Sequence, residues 1–179
     1  GWSFDRFLSA LAEFELAERK RRRITRLLRA SALPPEKTLA TLKPELLPTA
    51  VRRVLPVLCE GTFVDKGENL LAFGLPGRGK THLVAAIGHE LVMRGFSVLF
   101  VAAYALVQRL LSARKQFALE KELKALDSFD VVIIDDIGYI QQDRDEMEVL
   151  FTFLAERYER RSVVITSNLV FSQWDKIFK

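Results

Sequence analysis

Apolar residues near the amino end recur every three or four positions, with charged residues between them. The set is Phe4, Phe7, Leu8, Leu11 and Phe14. This spacing predicts an amphipathic helix, and the stretch AERKRRRITRLLRAS continues it. We expect Phe4, Phe7 and Phe14 to pack in the core rather than to form a stacking platform for bases.

Four prolines interrupt the helical pattern in the stretch LPPEKTLATLKPELLP. The residue before a proline is pushed out of helical geometry. Residues 31–49 are therefore predicted to be an irregular connector with short helical turns at most. The stretch AVRRVLPVLCEG then predicts a short helix that ends at Gly61.

From residue 69 onward, short apolar runs alternate with longer helical patterns. The runs NLLAF, SVLFVA, VVIID and VVITS predict four strands. Helices are predicted over about 80–94, near 104–113 and 116–126, over RDEMEVLFTFLAERYE, and from FSQWDKIF onward. Apolar strands separated by helices are typical of an α/β fold with a parallel sheet covered on both faces.

The composition is that of a soluble globular protein. Apolar residues make up 49% and charged residues 28% of the 179 positions, which allows one domain with a real core and a smaller unit. The sequence shows neither an apolar run long enough to span a bilayer nor a secretory signal pattern. The single cysteine, Cys59, excludes an internal disulfide. We therefore expect a cytoplasmic protein with no membrane partner.

The charge is distributed unevenly along the chain. Residues 1–60 hold 12 Lys and Arg against 7 Asp and Glu, whereas residues 61–179 hold 15 against 16. This asymmetry predicts two units. One is a helical, basic, DNA-binding unit over 1–60 that includes the proline-rich connector, and the other is a core unit over 61–179.

A glycine-rich loop follows the first predicted strand. GLPGRGKT fits the pattern G-x-x-x-x-G-K-[ST] between a strand and a helix, which predicts a phosphate-binding loop. A plain glycine turn would not account for the Lys-Thr pair. Lys80 can reach the β- and γ-phosphates, and the Thr81 hydroxyl can bind Mg²⁺. The predicted nucleotide-binding residues are Gly74, Leu75, Pro76, Gly77, Arg78, Gly79, Lys80, Thr81 and His82.

Polar residues at the ends of two other strands are candidates for the same site. Asp135 ends the apolar run VVIID, where we expect it to hold Mg²⁺, and Asp136 is placed to activate a hydrolytic water. Asn168, after VVITS, can contact the γ-phosphate or the attacking water. Solvated acids at a strand end, and an ordinary Ser-Asn turn, are the alternatives.

Five arginines share one arc of the first helix, with no acid among them. They are Arg19, Arg22, Arg23, Arg26 and Arg29. Ile24, Leu27 and Leu28 lie on another arc and form a docking stripe. An ordinary solvated face is the alternative, but we favour phosphate contacts with duplex DNA. Because no base-reading motif is present, binding is expected to be largely independent of sequence.

Several of these stretches resemble one family, the IstB-type ATPases that assist insertion-sequence transposases. The stretches are LPPEKTLATL, GLPGRGKTHLVAAIG, VVIIDDIGY, LAERYERRSVVITSN and FSQWDKIF. The resemblance implies a P-loop AAA+ core related to DnaC-type helicase loaders, with ATP and Mg²⁺ as cofactors. It also implies ATP-dependent self-assembly on DNA and a transposase partner. By position, 74–81 would be Walker A, Asp135 and Asp136 the Walker B acids, and Asn168 sensor 1.

The sequence departs from the family pattern in two places. Asp136 stands where AAA+ proteins commonly have Glu, which points either to slow turnover or to a shift of the loop that compensates for the shorter side chain. The sequence ends at Lys179, before the expected fifth strand, arginine finger and lid, so the C-terminal part of the module is expected to be missing. Arg157, Arg160 and Arg161 are expected on a solvated or subunit-facing edge. The alternative functions are a replicative helicase loader and a nucleotide-gated DNA-binding switch with little hydrolysis.

Four further residues receive a structural interpretation. We expect His89 on a helix surface and His82 packed at the start of the P-loop helix. Trp174 and Phe178, one helical turn apart, are expected to serve apolar packing.

Overall fold

Seven α-helices and four strands make up the described part of the chain. The structure is a computed structural model that describes residues 3–139 and 144–169. The helices are α1 Phe4–Ser31, α2 Thr49–Glu60, α3 Thr62–Asp65, α4 Lys80–Met93, α5 Ala103–Lys115, α6 Leu119–Asp127 and α7 Arg144–Arg157. The strands are β1 Leu70–Phe73, β2 Val98–Ala102, β3 Val131–Asp135 and β4 Ser162–Ser167. Short 3₁₀ turns lie at Pro44–Leu46 and Ile137–Tyr139.

The four strands form one sheet in the order β1-β4-β3-β2, and every pairing is parallel. Phe73 pairs with Ser167 at the end of β1, and Ala102 pairs with Asp135 at the end of β2. The carboxyl ends of β1, β4 and β3 therefore lie side by side. In sheets of this kind, ligands bind at that edge.

Alternate residues of the central strands enter two core layers on opposite faces of the sheet. Val132 and Ile134 of β3 pack with α5, α6 and α7, whereas Val131 and Ile133 pack with α1, α2 and α4. A strand that is buried on both faces has no polar alternation. This explains why VVII is apolar throughout and confirms the predicted helix–sheet–helix layering.

Helix α1 joins the core only through its carboxyl-terminal half. Ile24, Leu27 and Leu28 pack against the cluster that contains α4 and β3, so they form the predicted docking stripe. The prediction that Phe4, Phe7 and Phe14 are core residues is wrong. They are 74%, 55% and 66% exposed.

The reason for this error is the geometry of α1. At 100° per residue, the phenylalanine face points roughly opposite to the face that carries Ile24 and Leu27. The first apolar stripe therefore turns away from the sheet while the second faces it. A spacing pattern identifies a stripe but not what the stripe contacts.

The proline-rich connector is irregular, as predicted, but it is anchored to the core. Leu33, Leu42 and Leu47 are buried, and Leu33 packs beside Gly88 of α4. A Cβ atom at Gly88 would lie 2.8 Å from Leu33 and from Ile133, so the glycine permits this close approach. His89 is half-buried rather than on the helix surface, and its Nε2 lies 2.9 Å from the Pro34 carbonyl oxygen.

The remaining elements follow the predicted order. Gly61 ends α2 in the left-handed conformation, as helix C-caps commonly do. The buried Cys59 is a packing residue, and burial raises the pKa of its thiol to about 11. The four-residue helix α3 was not predicted. The FSQWDKIF helix, Trp174 and Phe178 lie outside the described residues.

Candidate nucleotide-binding site

The glycine-rich loop joins β1 to the amino end of α4. Gly77 and Gly79 have φ angles of 74° and 79°, a region that residues with a Cβ rarely adopt. No atom lies within 4 Å of a Cβ built at either glycine, so the loop needs glycine for its backbone conformation and not for space. Among the described residues, no side chain caps the amino end of α4, and its amide groups are available to an anion.

Lys80 is held inside this loop by three acceptors. Its Nζ donates to the carbonyl oxygens of Gly74 and Leu75, at 2.6 Å and 3.0 Å, and to Oδ1 of Asn168 at 2.6 Å. The lysine ammonium thus lies between the loop and the end of β4. A phosphate oxygen that enters the loop can replace these neutral acceptors with a charged one.

Thr81 and Asp135 meet across the cleft between α4 and β3. The Thr81 hydroxyl donates to Asp135 Oδ1 at 3.0 Å, and the Thr166 hydroxyl donates to the same oxygen at 2.7 Å. Two donors on one oxygen fix the orientation of the carboxylate. The predicted metal residues Thr81 and Asp135 are therefore adjacent.

Asp136 takes an uncommon backbone conformation, with a φ angle of 66°. Its backbone amide donates to Thr166 Oγ1 at 2.8 Å, and its Oδ1 accepts from Asn168 Nδ2 at 2.9 Å. Burial and the neighbouring charge of Asp135 raise the pKa of Asp136, while Lys80 opposes the shift. The three predicted catalytic residues form one chain of contacts, Lys80–Asn168–Asp136.

Two of the cavities that border the loop are lined by both Gly77 and Gly79. One, of about 400 Å³, is lined by Lys37, Pro76, Gly77, Gly79, Lys80, Thr81, His82, Asp136, Thr166 and Asn168. The other, of about 310 Å³, lies between the connector and the loop, where Leu42, Leu46 and Leu47 face Arg78 and His82. The first holds the polar groups that a phosphate chain needs, and the second offers apolar walls.

Thr81 lines the first cavity and donates to Asp135 beside it, and the oxygen atoms of these two side chains suit Mg²⁺. Among the described residues, no cluster of three or more His, Cys, Asp or Glu side chains could hold a metal ion. The protein thus offers the Thr81 hydroxyl and the Asp135 carboxylate, which are hard oxygen donors. Mg²⁺ is commonly bound by one or two protein oxygens together with phosphates and water.

The whole of the chain, residues 1–179, matches a family described as IstB-like ATP binding protein. The chain belongs to this family. Membership of this IstB-like family supports ATP binding, and the glycine-rich loop with the strand-end acids is the candidate site for it. The resemblance inferred from the sequence motifs is confirmed.

Curated relatives of this IstB-like chain are insertion sequence ATP-binding proteins. One from Sinorhizobium fredii is 45% identical over 179 residues, which are 99% of this chain and 60% of the relative. One from Geobacillus stearothermophilus is 38% identical over 175 residues, which are 98% of this chain and 70% of that protein. The chain therefore spans less than two thirds of the Sinorhizobium protein's length.

Solved structures with the same fold include AAA+ proteins of replication. The DnaC helicase loader superposes with a TM-score of 0.70 at 22% identity, over 80% of this chain and 88% of the loader. AMPPCP-bound DnaA from Aquifex aeolicus superposes with a TM-score of 0.66 at 22% identity, over 82% of this chain and 45% of DnaA. At this identity the likeness shows the fold alone, and it agrees with the predicted parallel sheet flanked by helices.

His82 sits beside the loop but turns toward the connector. Its Nε2 lies 3.1 Å from the Thr38 carbonyl oxygen and 3.1 Å from the Thr41 hydroxyl. The histidine thus links the start of α4 to the connector and also borders both cavities. Leu75 at the tip of the loop is exposed.

Thr166 is a site residue that the sequence interpretation missed. It lies on β4, is 1% exposed, and contacts both acids. The one available signal was a polar residue inside the buried run VVITS. That signal does not reveal the contact, because the acids lie about thirty positions earlier in the sequence.

The expected solvated edge of α7 is wrong for Arg157. This arginine is 1% exposed, whereas Arg160 and Arg161 pair with Asp127 and Asp130 at the surface. Arg157 donates to backbone carbonyl oxygens of Leu126, Phe129, Asp130 and Ser162. It is a structural residue, because its five N–H donors can satisfy several carbonyls at once.

The five predicted DNA-contacting arginines lie on α1, apart from the loop, and differ in their contacts. Arg19 pairs with Glu15 at 2.7 Å, and Arg23 donates to the Gly95 carbonyl oxygen at 3.1 Å. Arg22 lies 4.0 Å from Glu18. Among the described residues, neither Arg26 nor Arg29 has an acidic partner. Acidic residues one helical turn earlier therefore offset part of the positive charge of Arg19 and Arg22.

No helix within the described residues is both long and apolar enough to cross a membrane.

Proposed function

We propose that this protein is an ATP-dependent DNA-binding helper of transposition. It binds ATP with Mg²⁺, assembles with further copies of itself on duplex DNA, and recruits or activates a transposase. ATP hydrolysis resets the assembly. The observation that carries the proposal is the convergence of Lys80, Asn168 and Asp136 with Thr81 and Asp135 at one sheet edge, in a chain that matches the IstB-like family throughout.

The site residues divide the work of phosphate binding and hydrolysis. Loop amides and Lys80 hold the β- and γ-phosphates, and Asn168 orients the terminal phosphate or its attacking water. Thr81 and Asp135 hold Mg²⁺, which, when bound, neutralises charge on the phosphates. Asp136 accepts a proton from the water, and its raised pKa makes it a stronger base than an exposed aspartate.

The cavity between the connector and the loop is the proposed base site, by which we mean the site of the adenine ring of ATP. Leu42, Leu46 and Leu47 supply apolar walls for a planar ring, and His82 closes one side. Adenine is assigned because the matched family is described as ATP binding. Through this cavity, the nucleotide contacts the connector that leads to α1.

Residues 1–60 are the proposed DNA-binding unit, and residues 61–179 the proposed ATPase core. On α1, Arg21, Arg22, Arg26 and Arg29 surround a shallow cavity of about 400 Å³ together with Thr25. Guanidinium groups and a hydroxyl suit phosphate oxygens. Such contacts carry no base information, so the protein is expected to bind unrelated duplexes similarly. The proposed compartment is the cytoplasm.

The helicase-loader alternative shares the ATPase fold. The likeness to the DnaC loader is at 22% identity, whereas the insertion-sequence relatives reach 45%, which favours transposition. A replicative helicase that co-purifies with the protein in place of a transposase would reverse this preference.

The test compares Lys80→Ala with Lys66→Ala. Lys66 is exposed and precedes β1, at the opposite end of the strand from the loop, so it controls for the loss of one lysine charge. Binding of ATP is measured by calorimetry, phosphate release by a coupled assay, and assembly on duplex DNA by analytical ultracentrifugation.

We expect wild type and Lys66→Ala to bind ATP, release phosphate and assemble on DNA only with ATP. Lys80→Ala should bind ATP about 10- to 100-fold more weakly, because a charge-assisted hydrogen bond contributes about 1.5–3 kcal/mol. Equal ATP binding by both variants would contradict the site. ATP-dependent assembly without measurable phosphate release would support the nucleotide-gated switch instead.

A further inference from the structure

Thr166 has a position that the nucleotide-site motifs do not explain. Its side chain is buried at the carboxyl end of β4, one residue before the end of the strand. In the sheet register it lies opposite Ala72 of β1. It is thus placed between the strand that leads into the loop and the strand that ends in the acids.

The Thr166 hydroxyl uses both its donor and its acceptor on the acidic pair. It donates to Asp135 Oδ1 at 2.7 Å and accepts from the Asp136 backbone amide at 2.8 Å. A hydroxyl has one proton to donate. That proton is directed at Asp135 while a lone pair receives the amide of the next residue.

The first contact orients the Asp135 carboxylate. Oδ1 receives the hydroxyl protons of Thr81 and Thr166 together. Among the described residues, no hydrogen bond to Oδ2 is present, so this second oxygen is available to a cation. Without Thr166, Thr81 alone would hold the carboxylate, and its rotation would be less restricted.

The second contact supports the left-handed backbone of Asp136. A φ angle of 66° is unfavourable for a residue with a Cβ, and such conformations persist where the surroundings hold them. The amide bond to Thr166 is one such restraint. The side chain of Asp136 is then within reach of Asn168.

We propose that Thr166 is a positioning residue of the ATP site. Its hydroxyl holds Asp135 in the orientation that binds Mg²⁺ and holds Asp136 in the conformation that orients the water. The inference rests on the proposed ATP-binding and hydrolysis function. Thr166 lies outside the P-loop and the acidic pair. Both the metal-binding role of Asp135 and the water-orienting role of Asp136 are proposed to depend on it.

The test uses Thr166→Val, which removes the hydroxyl at nearly constant volume, and Thr166→Ser, which restores it. Ser162→Ala is the matched control, because Ser162 is a buried hydroxyl residue at the other end of β4. Three quantities are measured on the full chain. They are the Mg²⁺ dependence of binding of a fluorescent ATP analogue, kcat and KM for phosphate release, and the urea midpoint of unfolding.

We expect Thr166→Val to need at least about fivefold more Mg²⁺ for half-maximal tightening of nucleotide binding, and to lose about 10- to 100-fold in kcat. Its binding of nucleotide without Mg²⁺ should stay within about twofold of wild type, since Lys80 and the loop are untouched. Thr166→Ser should restore both the Mg²⁺ dependence and kcat to within about threefold. Ser162→Ala should leave the Mg²⁺ dependence and kcat unchanged, and any effect should be confined to the urea midpoint.

Two outcomes overturn the inference alone. One is an unchanged Mg²⁺ dependence in Thr166→Val, and the other is an equal loss in the Val and Ser variants. If Thr166→Val does not fold, Thr166→Ala leaves room for a water and is compared with Thr166→Ser in its place. Wild-type protein that binds no nucleotide overturns the proposed function and this inference together. If wild-type protein binds nucleotide but releases no phosphate, the Mg²⁺ dependence of nucleotide binding in the Val and Ser variants decides whether Thr166 is a positioning residue.

Discussion

At the scale of single residues, the buried side chain of Arg157 joins three segments of the chain. It starts from the end of α7 and donates to carbonyl oxygens in the last turn of α6, just after α6, and at the start of β4. Burial lowers the pKa of its guanidinium to about 10, with the charge of Asp127 opposing the shift. The group therefore stays charged at neutral pH. Its value lies in satisfying carbonyls that would otherwise be buried without partners.

Arg157→Lys should destabilise the protein by about 2–4 kcal/mol. A lysine keeps the charge but has a single ammonium, which cannot reach the carbonyls of Leu126, Phe129 and Ser162 together, and a buried carbonyl left unpaired costs about 1–3 kcal/mol. Urea unfolding followed by circular dichroism measures the loss. Arg160→Lys is the control. Arg160 is 59% exposed and pairs with Asp127, so its change should cost less than about 1 kcal/mol. Equal losses of stability in the two variants would contradict the buried structural role of Arg157.

Residues differ in how far their roles can be predicted from sequence. Lys80 and Thr81 were predictable because their function follows from a short contiguous pattern with defined neighbours. Arg157 and Thr166 were not, since their partners lie 27 or more positions away for most contacts. A charged residue on a helix and a threonine in a strand each have a common surface or packing explanation. Only the fold shows which carbonyls or acids they face.

Helix α1 divides into two halves at the scale of a single element. Its carboxyl-terminal half carries the core stripe on one face and the arginines on another, while the amino-terminal half exposes its apolar residues. Glu15 and Glu18 lie where the halves meet and engage Arg19, Arg21 and Arg22. The arginines nearest the connector are therefore the ones whose charge is least engaged by these two acids.

Replacement of Arg22, Arg26 and Arg29 by Ala should weaken duplex binding about equally for unrelated sequences. Each lost phosphate contact should reduce the slope of log K against log salt by about 0.9, so the triple variant should lose about 3 from the slope. Fluorescence anisotropy across a salt series, with ATP present, measures both quantities. A loss confined to one sequence would mean that the helix reads bases.

The matched control replaces Lys66, Lys115 and Lys121 by Ala. These residues are exposed cations outside residues 1–60, and their removal changes the net charge by the same amount. We expect their effect on the slope to be less than about 1. If the control variant loses as much as the arginine variant, the overall charge drives binding and α1 is not a DNA-contacting surface.

Within the described residues, the carboxyl-terminal half of α1 and the connector share a core with α4, although the proposed functions divide at residue 60. Leu33 of the connector, Ile24 of α1 and Val84 of α4 belong to the same apolar cluster on one face of the sheet. The sequence predicted the order of elements because local periodicity determines it. It did not predict this packing, because a proline-rich segment looks the same whether it separates two domains or lies along one core. Leu33, Leu42 and Leu47 are buried, so the connector lies along the core.

Hydrogen exchange should show that amides in the carboxyl-terminal half of α1 are protected and that those in its amino-terminal half are not. Amides of Ile24–Ser31 should exchange at rates close to those of α4, because both open only when the shared cluster opens. Amides of residues 8–14 should exchange at least about tenfold faster, since a solvated helical segment without packing is marginal in water. Mass spectrometry of peptic peptides measures both, and peptides of β3 give the reference for global opening. If all of α1 exchanged before α4, residues 1–60 would fold as a separate domain. ATP should slow exchange in α4 and the connector together, because both line the proposed base site.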